Sequence, residues 1–130
     1  MAVFYESDYE RNLWKNLVRD LIDKDLGMIF VTLFEKLPVG GLFLAYDKRC
    51  AYNLLSYFDK ASNIRGIPSS LIWHSIKYAS ERNLEVYDFE GSVLPDIERF
   101  FQCFGGNHTP YFQVYWEADR SKMEPILFEY

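Results

Sequence analysis

Asp88 and Glu90 are the side chains in this 130-residue chain best placed to move a proton. They sit where a short apolar run, Leu84-Glu85-Val86-Tyr87-Asp88-Phe89, meets the polar turn Glu90-Gly91-Ser92. Residues two apart on a strand share a face, so the spacing predicts that both carboxylates emerge together. Rings such as Tyr87, Phe89 and Tyr111 would desolvate such a carboxylate and raise its pKa toward the range a general base needs. The plainer reading is that Asp88 caps the turn or pairs with Arg65 or Lys77, and that Glu90 is simply solvated. Ser69, Ser70 and Ser92 suit a phosphate or an oxyanion, or they are helix caps. His74 has no nucleophile at a readable spacing and reads as structural.

The remaining elements follow from hydrophobic periodicity. Ser7 and Glu10 have capping-box spacing, and Leu13, Trp14, Leu17, Val18, Leu21 and Ile22 form one apolar helical stripe that stops at Gly27. Met28 to Glu35 reads as a strand covered on both faces, Lys36 to Gly40 as a turn, and Gly41 to Tyr46 and Ala51 to Phe58 as two more strands joined at Asp47-Lys48-Arg49. After the loop Asp59 to Pro68, Ser69 or Ser70 caps a helix ending near Asn83, and the strand Leu84 to Phe89 completes a right-handed β-α-β crossover. Pro95 to Phe104 is a helix closed by Gly105-Gly106, with Trp73, Phe100, Phe101 and Phe104 read as core. Thr109 to Glu117 is a further strand and Pro125 to Tyr130 an edge strand. The expectation is a mixed α/β sheet, an antiparallel meander followed by a parallel crossover, with helices on both faces and residues 1–130 forming a single domain.

Composition excludes several classes. Hydrophobic residues make up 49% and aromatics 18%, with ten Tyr and eleven Phe, so the chain can bury a core. The net charge is −5 and the Lys and Arg residues are scattered, which disfavours DNA, since phosphate neutralisation needs clustered cations. Neither a run of about 18 apolar residues nor a signal-peptide pattern occurs, so the expected protein has no membrane span and is cytoplasmic. Cys50 and Cys103, with only His74 and His108, do not make a metal motif, and both thiols read as reduced and buried.

The order of elements, together with Ala51-Tyr52-Asn53-Leu54-Leu55-Ser56, Ile67-Pro68-Ser69-Ser70-Leu71-Ile72-Trp73, Tyr87-Asp88-Phe89-Glu90-Gly91-Ser92 and Ile97-Glu98-Arg99-Phe100-Phe101 before Phe104-Gly105-Gly106, resembles the GNAT-like domain of the FemABX-related acyltransferases. The resemblance covers roughly Leu13 to Val114 and lacks the first strand and helix of the fold. That gap implies either the C-terminal lobe of a longer protein with an N-terminal lobe, or a short chain that completes its sheet in a homodimer.

The family implies transfer of an acyl group from acyl-CoA or acetyl-CoA, or from aminoacyl-tRNA, to the amine of a small molecule or peptide, without a metal. In that frame Glu90 or Asp88 is the base for the amine and Tyr111 the acid for the leaving group. Arg65, Gly66, Ser69, Ser70 and Leu71 hold the cofactor. Amides of Ser70, Leu71 and Ile72 at the helix start would receive phosphate oxygens, aided by the helix dipole. Of the glycine-loop signature of ordinary members, only Gly66 matches within Asn63-Ile64-Arg65-Gly66-Ile67-Pro68. A second reading of the same residues is a non-catalytic GNAT-like module used in protein assembly.

Overall fold

The structure, a computed structural model, describes residues 8–91, 94–110 and 114. Ser7, Ser92, Tyr111, most of the expected strand Thr109 to Glu117 and all of the expected strand Pro125 to Tyr130 lie outside the described residues. The chain divides into two compact units, Met1–Ser92 and Val93–Tyr130.

The first unit runs α1 (Asp8–Asp23), β1 (Gly27–Phe34), β2 (Leu37–Tyr46), β3 (Cys50–Phe58), a short 3-10 turn (Lys60–Ser62), α2 (Ile67–Glu81) and β4 (Val86–Asp88). The strands form one sheet in the order β1-β2-β3-β4. The first two pairings are antiparallel and β3–β4 is parallel, as the alternation and crossover length require.

Helix ends explain where the chain turns. At the end of α1 the left-handed residue is Asp25 (φ 53°), not Gly27, and Leu26 N–H closes onto Leu21 O at 2.8 Å. Gly27 instead opens β1, where an added Cβ would lie 2.8 Å from the Phe43 ring. Helix α2 ends in the same way, with Asn83 at φ 59° and Leu84 N–H on Ala79 O at 3.0 Å. The β1–β2 connection is shorter than the expected Lys36–Gly40 turn. Only Glu35 and Lys36 form it, both with positive φ (49° and 67°), the conformation whose twist matches a tight hairpin. Leu37 to Gly40 therefore belong to β2, and Pro38 is accommodated beside a register shift at Val39, which has no partner in the Thr32–Gly40 and Leu33–Pro38 pairing.

The core lies between the sheet and α2. Leu42, Leu44 and Tyr46 of β2 share this face with Ile67, Leu71, Ile72, Ser75 and Ala79 of the helix, all of them buried. Tyr46 and Tyr78 bring their hydroxyls to 3.3 Å, Asp25 accepts from Tyr46 at 3.1 Å and from Arg82 at 2.7 Å, and the Arg82 guanidinium lies over both rings. Burial and these hydrogen bonds push the Tyr46 phenol up. Helix α1 approaches the opposite face through Leu21, near Gly27 and Phe43. None of its residues is buried.

Gly40 marks where α2 meets the sheet: an added Cβ would lie 2.6 Å from Ile67 Cγ2 and 3.2 Å from Leu71 Cδ1. Gly40→Ala is expected to destabilise the protein by about 1–3 kcal/mol in urea unfolding, because the helix must lift away.

Three expectations about burial change. Trp73 is 53% exposed, since the apolar face of α2 is taken by Leu71, Ile72, Ser75 and Ala79. Cys103 is exposed and Cys50 half-buried, both as free thiols. Met28 to Glu35 is not covered on both faces, because Ile29, Val31 and Leu33 are 48%, 54% and 61% exposed.

In the second unit, α3 (Pro95–Gln102) starts with Pro95 in its first turn and is followed by Gly105 at φ 85°. Phe100 meets Phe104 edge-on at 5.3 Å and Phe101 at 5.9 Å, and Glu98 contacts both His108 and Gln102.

Candidate functional site

The candidate site begins where β3 and β4 part. The strands pair only as Cys50–Val86, Ala51–Tyr87 and Tyr52–Asp88. Glu85 and Val86 both donate to Arg49 O (2.8 and 3.1 Å), while the Arg49 guanidinium holds Glu85 at 2.6 Å. These contacts dock the start of β4. β4 ends at Asp88, so β3 continues from Asn53 to Phe58 without β4 beside it. Parallel strands open ligand crevices at such carboxyl ends.

The cross-strand register assigns the faces. Tyr87 shares the α2 face with Ala51, and its hydroxyl lies 2.7 Å from Ser75 Oγ, which also donates to Ile72 O at 2.8 Å. Burial pushes the Tyr87 phenol up to about 12. Asp88 stands on the opposite face with Cys50 and Tyr52. Nearby, Asp47 accepts from the amides of Arg49 and Cys50 (2.7 and 2.8 Å) and from the Tyr52 hydroxyl (2.9 Å), which holds its carboxyl below the usual range. Burial raises the Cys50 thiol, and the charges of Asp88 and Asp47 add to the shift.

The pleat ends at Asp88, so the expected alternation does not carry Glu90. Instead, Asp88 Oδ1 accepts the Glu90 N–H at 2.7 Å, and Glu90 and Gly91 both take left-handed backbone (φ 60° and 64°). Asp88 thus caps the turn, and among the described residues it has no ion pair with Arg65 or Lys77. A glutamate with positive φ is uncommon, and such strain collects at functional positions. Desolvation, followed by the charge of Asp88, raises the Glu90 pKa above its ordinary value. Glu90 therefore combines a fixed backbone, a like-charged neighbour and a pKa shifted toward a base's working range.

The second half of the site is the start of α2. This helix starts at Ile67, earlier than a Ser69 or Ser70 cap would give, with Gly66 as N-cap at φ 85° and no side-chain cap. Ser70 N–H is committed to Gly66 O at 2.8 Å, and Leu71 is buried over Gly40. Among the described residues the open amides at the helix start are consequently those of Ile67 and Ser69, with Pro68 lacking one between them. Ser69, Ser70 and Arg65 are exposed around them. The His74 ring approaches Ser70 O at 2.8 Å, a contact within the helix.

Gly40 links the two halves. It pairs with Phe58 and lies under Ile67, so the stretch of β3 beyond β4 leads from the Tyr52–Asp88 fork to the first turn of α2. Five strand steps from Asn53 to Phe58 span roughly 17 Å. A separate groove of about 500 Å³ on the other face is lined by Trp14, Val18, Ile22 and Leu55, with Arg11 and Arg19 at its rim. Among the described residues no group of His, Cys, Asp and Glu could hold a metal, and no helix is long and apolar enough to cross a membrane.

Residues 1–113 match the family model described as an acetyltransferase (GNAT) domain. The chain belongs to that family. Among solved structures it is similar to the aminoglycoside N-acetyltransferase AAC(6')-Iy, solved with a bisubstrate analogue (12% identity, 88% of this chain, 82% of that chain, TM-score 0.68). It is also similar to a predicted acetyltransferase from Clostridium acetobutylicum with acetyl-CoA (13% identity, 87% and 78% covered, TM-score 0.70). A third likeness is to a ribosomal-protein-alanine N-acetyltransferase from Brucella melitensis biovar Abortus (14% identity, 75% of each chain, TM-score 0.57). At these identities the likeness is one of fold. No curated protein matches the chain.

Sequence reasoning passed over Asn53 and Ser75 as site-adjacent polar groups. The signal for Asn53 was a carboxamide inside the otherwise apolar strand Cys50–Phe58. Ser75 is fully buried on the apolar side of α2, where only its hydrogen bonds mark it as different from Ala79.

Proposed function

We propose that this protein is an N-acetyltransferase that uses acetyl-CoA and acetylates the amine of a small molecule or peptide. The observation that carries the proposal is the run of β3 beyond its last pair with β4, which links the Asp88–Glu90 turn to the first-turn amides of Ile67 and Ser69. The pyrophosphate of acetyl-CoA would sit at the helix start, with the dipole of α2 and the charge of Arg65 favouring the anion. Pro68 lowers the number of amide donors there, leaving the Ser69 and Ser70 hydroxyls to supplement them. The thioester arm would lie along β3, bringing the acetyl carbon to the fork.

Glu90 then takes the proton from the attacking amine. Nitrogen bonds to the acetyl carbon, the carbon–sulfur bond breaks, and the thiolate leaves with the bonding pair. Tyr111 is proposed as the acid that protonates it. Asp88 fixes the turn that presents Glu90. CoA-containing neighbours support this donor, and neighbours named for aminoglycosides and ribosomal-protein alanine support an amine acceptor. The net charge of −5, without a cationic stripe, favours acyl-CoA over the aminoacyl-tRNA of FemABX-like relatives. The test is amine-dependent release of the CoA thiol from acetyl-CoA, measured with an aminoglycoside and with a peptide bearing a free N-terminus. Turnover on the order of 1 per second or faster with one of them is expected; an intact thioester with both would refute the proposal.

A second reading is assembly through β1. This edge strand, GMIFVTLF, carries no charge and leaves Ile29, Val31 and Leu33 exposed, whereas edges of monomeric sheets are usually blunted by charge or proline. Sedimentation of the full chain decides it: a concentration-dependent dimer favours β1 pairing, and a monomer at all concentrations excludes it.

A further inference from the structure

The most unusual polar atom outside the carboxylate turn is Asn53 Oδ1. Asn53 is 5% exposed, and among the described residues its side-chain oxygen has no hydrogen-bond partner. Buried carbonyl oxygens are nearly always paired, because an orphan forfeits its bond to water and receives nothing in return. Its position is specific. Asn53 follows Tyr52, the last β3 residue paired with β4, so it is the first residue past the fork. Pairing with Leu44 turns it toward α2, and the register slips by one residue at Leu54 directly after it. Such bulges re-aim side chains near binding sites.

The buried hydroxyl that α2 presents to the sheet, Ser75, is already engaged. Ser75 Oγ donates to Ile72 O and meets the Tyr87 hydroxyl, so it does not turn to Asn53. An apolar residue would fill the position without an unpaired acceptor, as Leu44 does opposite. What the fork offers is therefore a preformed acceptor that waits for an N–H donor entering between β3 and the end of β4.

We infer that Asn53 is a binding residue for the acyl donor, its side-chain carbonyl accepting an amide N–H of the pantetheine arm and fixing how far the thioester advances past the fork. This rests on the acetyl-CoA reading above. The arm carries secondary amides and no charge, which suits a desolvated neutral acceptor. The adenosine bisphosphate end of CoA has no such amide and would be insensitive to residue 53.

The test compares wild type with Asn53→Leu, which removes the acceptor while keeping the side chain's size. Calorimetry is run with acetyl-CoA and, separately, with the adenosine bisphosphate fragment that lacks the arm. The expected result is acetyl-CoA affinity about fivefold or more weaker in the variant, fragment affinity unchanged, and a Tm of the free variant equal to or above wild type, because the orphan acceptor is gone. Should Asn53→Leu not fold, Asn53→Ser gives the same affinity comparison. Unchanged acetyl-CoA affinity in the variants overturns the inference. So does a lower Tm of the folded Asn53→Leu variant with both ligands equally weakened, which would mean that Asn53 holds structure through a water. Wild type that binds neither ligand refutes the acetyl-CoA reading itself, and this inference with it.

Discussion

Glu90→Gln is expected to lower kcat for amine acetylation by about 100- to 10,000-fold, while KM for acetyl-CoA changes by less than about twofold. The substitution keeps the size and the Glu90 N–H bond to Asp88 Oδ1, so the left-handed turn survives and only the proton acceptor is lost. The pH profile adds an independent sign. Desolvation and the Asp88 charge raise the Glu90 pKa above its ordinary 4.5. The base must be deprotonated to work, so the acidic limb of kcat/KM should lie above pH 4.5 and vanish in the variant. Stability moves the opposite way through the same window: the folded state holds the Glu90 proton more tightly than the unfolded chain does. This group's contribution is thus present below pH 4.5 and is lost as pH rises through the raised folded value. Glu90→Gln should flatten that part of a stability-against-pH curve. An Asp88→Asn variant with a larger kcat loss than Glu90→Gln would transfer the base to Asp88.

Leu44→Ala should be the most damaging single change to the fold, destabilising it by about 2–5 kcal/mol in urea unfolding. Leu44 is 0% exposed on central strand β2, between Met28 of β1 and Asn53 of β3. No neighbour can relax into the space without disturbing both pairings. The control is Leu13→Ala on α1, where the side chain is 56% exposed and the expected loss stays within about 1 kcal/mol. Comparable losses at the two positions would mean that α1 is packed far more tightly than its exposed residues indicate.

The contrast between Leu44 and Leu13 also shows how much was legible from the residues alone. Periodicity located α1, the three antiparallel strands, α2 and the parallel crossover, because alternation and helical stripes survive in any tertiary setting. It did not set the boundaries that depend on single backbone conformations. Asp25 rather than Gly27 ends α1, and Glu35-Lys36 makes a tight turn without the Asn-Gly or Asp-Gly pair that usually marks one. The start of α2 was misplaced because serines are the usual caps, whereas Gly66 caps this helix through backbone geometry alone. Trp73 read as core from its size, yet it projects from the polar side of α2.

The site was legible as a list and less so as an arrangement. The sequence placed Asp88 and Glu90 at a strand end, and the strand does end there. That Asp88 ties down the Glu90 amide depends on a positive φ that no residue type announces. The orphan oxygen of Asn53 was invisible for a related reason: whether a buried carboxamide is paired depends on the fold around it and not on its residue type.

Whether acetyl-CoA lies along β3 between the fork and the start of α2, as proposed, is tested most directly by a backbone-amide NMR titration of the full chain with acetyl-CoA. Saturable shifts are expected below about 1 mM ligand, largest at the amides of Ile67 and Ser69, along Asn53 to Phe58, and at Glu90 and Gly91. Saturating shifts confined to the β1 edge or the α1 groove, or no shift at that concentration, would contradict it.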